Sequence, residues 1–193
     1  MIILLLALNF GIAWFNCWSV GGIWIESKAL GGFPRVLAWC GAIQSVIGFS
    51  CLFVYALAFG LHAFGKLSDH AYNAALSLWY LLVIIPCIGS GLIITIQSWI
   101  VAFRDRSISN LGVAGYNTFA QAYNMYQAID GIGDAFGIVG SLFDSDSKDE
   151  DDSGAGALVV VVVLLALFGG VVLTWALIRL YSARLPKPAR VPL

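Results

Sequence analysis

Hydrophobic positions along this chain gather into long unbroken runs. Four of them, Ile2 to Ile25, Val36 to Leu61, Ala71 to Phe103 and Gly154 to Ile178, contain no Asp, Glu, Lys or Arg. An α-helix rises about 1.5 Å per residue, so about 20 apolar residues cross the hydrocarbon core of a bilayer. Each run is long enough to be a transmembrane helix. The third holds Pro86, Gly89 and Gly91 near its middle and exceeds the membrane thickness, so a kinked, tilted or projecting helix is expected. The first lacks a positively charged start and an Ala-x-Ala-like site, and reads as a span rather than a secretory signal.

The links between the runs set their order in space. "ESKALGGFPR" (Glu26 to Arg35) and "HAFGKLSDH" (His62 to His70) are short and rich in turn residues, so they predict two antiparallel hairpins. Only the link from Arg104 to Ser153 is long. The expected organisation is all-α: a three-helix membrane region over 1–103 and an amphipathic helical segment over 104–143. An acidic linker over 144–153, a fourth transmembrane helix over 154–181 and a basic, proline-containing tail over 182–193 complete it.

The amphipathic segment carries its own period. Phe119, Ala122, Tyr126, Ile129, Gly133, Phe136, Gly140 and Phe143 recur at alternating steps of three and four, a heptad-like seam. Gly137 adds a small-xxx-small pattern with Gly133 in "GDAFG". Asn117, Gln121, Asn124, Gln127, Asp130 and Asp134 follow a similar period on another side, which predicts an amphipathic helix or helix pair. Six glycines weaken it in isolation by about 1 kcal/mol each relative to alanine, so it needs a packing partner. Anionic lipid headgroups are disfavoured, because no Lys or Arg occurs from Ser107 to Ser147. The chain's own helices or further copies remain; in the second case the seam joins subunits, and Gln121→Ala on the polar side leaves assembly nearly intact.

Composition supports the membrane reading: 60% of residues are hydrophobic and 11% charged, with a mean hydropathy of +0.89. A net charge of −1 gives no field for attracting nucleic acid, which is not expected as a partner. Membrane lipid is the first expected partner. A homo-oligomer or other membrane subunits are the second. With four spans both termini share one side, and the cations divide evenly between the two sides. The acid-free tail "RLYSARLPKPARVPL" breaks the tie towards a cytoplasmic C-terminus, in a bacterial inner (plasma) membrane.

Chemistry-bearing residues are sparse. "DSDSKDEDD" places Asp144 and Asp146 at EF-hand spacing, but Lys148 stands at the third ligand position, Asp149 at the turn glycine and Ala155 at the bidentate glutamate. Asp144, Asp146, Asp149, Glu150, Asp151 and Asp152 therefore read as a hydrophilic stop, or as a cation-attracting ring if several copies surround a pore. His62 and His70 alone build no metal site. "IGSGL" around Ser90 lacks the later histidine that would activate a serine. Cys17, Cys40, Cys51 and Cys87 lie inside apolar runs without C-x-x-C spacing, and read as small buried side chains. No paired cysteines of a claudin-type domain and no Cys-Cys-Gly of tetraspanins occur. No enzyme activity, cofactor or metal is expected. The functions left are a membrane subunit that self-associates or joins a larger assembly, of the secretion, conjugation or phage-related kind, and an oligomeric pore with an acidic mouth.

Overall fold

The computed structural model describes residues 2–30, 33–143 and 154–184, which form five helices. They are α1 (Ile2–Leu30), α2 (Phe33–Ala63), α3 (Asp69–Arg104), α4 (Ile108–Phe143) and α5 (Ala155–Arg184). Four of them, α1, α2, α3 and α5, are long and apolar enough to cross a membrane. The long link is one unbroken helix of 36 residues rather than a pair. Helix α3 continues through Pro86 without interruption, and α5 extends to Arg184, past the expected boundary at residue 181.

Local chemistry explains the turns. Helix α2 ends in a Schellman motif: Lys66 N–H donates to Leu61 O (2.8 Å) and Gly65 N–H to His62 O (2.9 Å). Gly65 takes φ +66°, a conformation that costs glycine little. Ser68 then caps α3, its hydroxyl accepting from Ala71 N–H at 3.2 Å. Between α3 and α4 only residues 105–107 turn the chain; Ser107 accepts from Asn110 N–H at 3.1 Å, and Asn110 Nδ2 reaches back to the Asp105 carboxylate at 3.1 Å.

The helices alternate in direction. Helix α1 packs on α2 with Asn9 Nδ2 donating to Gly48 O (3.3 Å), while Tyr181 near the end of α5 stacks edge-on to Trp14. At the opposite end Ala58 and Leu67, Ala71 of α3, Leu142 of α4 and Val159 of α5 form one cluster. Helices α1, α3 and α5 therefore run one way, α2 and α4 the other. The described ends, Ile2 and Arg184, lie at opposite ends of the bundle.

The interior is built from small side chains. Ala13, Cys17, Ala38, Ala58, Ala71, Ala74, Ala75 and Ala166 are buried, while Leu8, Phe15, Phe59, Ile85, Leu164 and Phe168 face outward. Helices whose contacts are small and whose exteriors are large and apolar suit a hydrocarbon surrounding, where close backbone approach replaces the hydrophobic drive of water.

Candidate functional site

Helix α4 doubles back along the whole of α3. From one end to the other, Trp99 Nε1 donates to Thr118 Oγ1 (2.8 Å), Gln121 Nε2 to Ile88 O (3.0 Å), Tyr80 Oη to Gln127 O (3.0 Å), and Ser141 Oγ lies 3.2 Å from His70 Nε2. The buried side chains of α4 are Ala114, Gln121, Ala128, Ala135 and Leu142, each seven residues after the last. Half-buried Asn117, Asn124, Gly131 and Ile138 fall between them. This is a heptad seam of small and amide side chains, the composition that lets membrane helices approach and hydrogen-bond.

The seam read from the sequence lies on the opposite side of the helix, its centre about 150° around from this one at about 100° per residue. Its residues Phe119, Ala122, Tyr126, Ile129, Gly133, Phe136, Gly137 and Gly140 are all exposed; Phe143 ends the helix. Phe119 is 72% and Ile129 83% exposed, and a Cβ added at Gly133, Gly137 or Gly140 would meet nothing within 4 Å. Helix α4 does pack against the chain's own helices, but with the Asn117, Gln121 and Asn124 part of its polar side; Gln127, Asp130 and Asp134 are exposed. Gln121, read as a residue of the free polar face, is 5% exposed. The packing seam was visible as the amide period, but periodicity alone does not say which of two opposite stripes faces the partner.

A crevice opens between the α1–α2 hairpin and the α3–α4 hairpin. Two adjoining cavities, about 640 and about 390 Å³, share Asn16, Ile94 and Asn117 in their walls. Asn9, Gln44, Gln97, Asn110, Gln121, Asn124 and Gln127 add amides to a mostly apolar wall whose lining residues include no Asp, Glu, Lys or Arg. Beside Pro86, Gln44 Nε2 donates to Cys87 O (2.9 Å) and Ser90 Oγ (2.8 Å), and Ser90 Oγ donates to Pro86 O (2.6 Å). The amides of α2 and α4 thus grip α3 from both sides at the proline. The sequence showed these polar residues one by one; that they line one crevice follows only from the packing.

The remaining candidates behave as follows. Asp144, Asp146, Asp149, Glu150, Asp151 and Asp152 lie outside the described residues. His62 Nδ1 sits 3.0 Å from Leu67 O and its Nε2 3.5 Å from the Asp69 carboxylate, both within the α2–α3 turn. The four cysteines are free; Cys17 and Cys40 are buried, Cys51 and Cys87 half-buried. Among the described residues no group of three His, Cys, Asp or Glu side chains is placed to hold a metal ion. Ser90 Oγ is engaged with helix carbonyls and Gln44. No family model matches the chain, and no curated protein or solved structure is significantly similar to it.

Proposed function

We propose that this protein is a non-enzymatic integral membrane subunit of a bacterial inner membrane. It self-associates, or joins a larger assembly of the secretion, conjugation or phage-related kind, through the outer seam of α4. The observation that carries this reading is the exposed stretch from Gly133 to Gly140. A Cβ at Gly133, Gly137 or Gly140 would meet nothing within 4 Å among the described residues, so these glycines would let a second backbone approach closely. Gly133→Leu and Gly137→Leu should each lower the mass of the detergent-solubilised particle, seen by native mass spectrometry, without lowering the thermal stability of the remaining protomer. A monomeric wild-type protein in mild detergents and in nanodiscs refutes self-association and leaves a foreign partner as the occupant.

A second reading, an oligomeric pore, is supported by the amides set into the mostly apolar, charge-free wall of the crevice, which offer hydrogen bonds to an uncharged or hydrated solute. In that reading the acidic run collects cations at the mouth. Neutralising Asp144, Asp146, Asp149, Glu150, Asp151 and Asp152 together should reduce cation flux into liposomes at low salt. The effect should shrink at about 1 M salt, where the Debye length contracts to about 3 Å. Equal flux for both proteins at low salt rules out the acidic mouth.

A further inference from the structure

We propose that α4 is itself a membrane pass, so that the chain crosses the bilayer five times, with its N-terminal end outside and its C-terminal end in the cytoplasm. The inference does not rest on self-association.

Geometry comes first. The contacts between α3 and α4 extend from Trp99–Thr118 at one end to His70–Ser141 at the other. A bilayer that encloses the apolar length of α3 must enclose the α4 segment laid against it. Keeping α4 in water or flat on the surface would require stripping it from α3 and separating Gln121 from the Ile88 carbonyl and Asn124 from the Cys87 thiol.

Length agrees. The 22 residues from Ile108 to Ile129 contain no charged side chain and extend about 33 Å, against a hydrocarbon thickness of about 30 Å. Asp130 and Asp134 follow only after that distance, at the end of the bundle where the acidic run begins. Mean hydropathy misses this helix because it averages the amides with the aromatics. The structure separates them: Asn117, Gln121 and Asn124 turn inward, and Phe119, Tyr126 and Ile129 turn outward. In water such an arrangement leaves the apolar stripe exposed; in a bilayer its Phe119–Ile129 part meets lipid chains, and the Gly133–Gly140 part beyond it is left for the contact proposed above.

Charge gives the orientation. With α4 outside the membrane the cations split evenly between the two sides. With α4 crossing, Lys28, Arg35, Arg104, Arg106, Arg179 and Arg184 all fall at one end of the bundle, and Lys187 and Arg190 follow Arg184 in the sequence. The other end keeps Lys66, and the acidic run with Lys148 follows from it. An asymmetry of this size places the basic end in the cytoplasm by the positive-inside rule.

Single cysteines placed at Lys66, Ser107, Ser147 and Val191 test this in intact spheroplasts with a membrane-impermeant maleimide. The wild-type chain, whose cysteines all lie within helices, is the background. Positions 66 and 147 should label to the level of permeabilised cells, and positions 107 and 191 should stay at background until permeabilisation. Labelling that puts 107 and 147 on the same side overturns the fifth pass, and labelling of 107 and 191 from outside overturns the orientation. A measurement independent of the loops uses a spin label at Phe119→Cys, in a background lacking the native cysteines and reconstituted in liposomes. Its relaxation should respond to oxygen and be insensitive to a water-soluble nickel chelate. Ready access of the chelate refutes lipid contact.

Discussion

Gly170→Leu should leave almost no folded protein, and Gly170→Ala should lower thermal stability sharply. A Cβ at residue 170 would stand 2.8 Å from Val46 O, 3.0 Å from Ser50 N and 3.0 Å from Ser50 Cβ. Two of these neighbours are backbone atoms in the middle of α2, which cannot rotate away as a side chain does. The helices must separate, and with them the contacts of Val54, Val162, Val163 and Ala166 in the adjoining core. Overpacking of this kind costs about 1–3 kcal/mol, and the alanine variant falls at the upper end because backbone must move. Gly169→Ala provides a graded control, since its Cβ meets only the Phe53 ring, at 3.1–3.4 Å. Gly112→Ala meets nothing and should be neutral or stabilising by up to about 1 kcal/mol through helix propensity. The free cysteines supply the assay: a thiol-reactive fluorophore reports unfolding as Cys17 and Cys40 become accessible. A melting temperature for Gly170→Ala equal to that of Gly112→Ala would show that α2 and α5 do not approach closely.

Much of this architecture was legible because its signals are long. Twenty or more residues without a charge leave little choice but a helix, and Gly65, Ser68 and Ser107 mark turns by chemistry that acts within a few residues. Pro86 was legible as an irregularity, yet α3 continues through it, with Gln44 and Gln121 donating to carbonyls nearby. What the sequence hid is the facing of α4. Soluble-protein reasoning assigns Phe119, Tyr126, Ile129 and Phe136 to the contact and the amides to solvent. In a low-dielectric surrounding the assignment inverts, since an unpaired amide costs more than an exposed phenylalanine. The crevice was illegible for a different reason: Asn16 and Asn117 are a hundred residues apart and meet only once both hairpins are packed.

That inversion can be measured at Gln121. Its Nε2 donates to Ile88 O at 3.0 Å, and its Oε1 occupies the space that a Cβ on Gly91 would fill. Gln121→Ala removes an interhelical side-chain hydrogen bond, a kind worth about 0.6–1.7 kcal/mol in membrane proteins, and leaves a void in the α3–α4 seam, for a total of about 2 kcal/mol. Gly91→Ala alone should cost about 1–3 kcal/mol, because the incoming methyl displaces the amide from its carbonyl. Combined, the two should cost less than their sum by about 1 kcal/mol or more, since the alanine at 121 vacates the space that the methyl needs. Phe119→Ala, at a residue 72% exposed on the outer face, should change unfolding by less than about 0.5 kcal/mol. A polar stripe facing water predicts the reverse order, with Gln121→Ala silent and Phe119→Ala costly. The same thermal assay on the four variants decides between them, and additive losses at 91 and 121 would show that these two residues do not share one space.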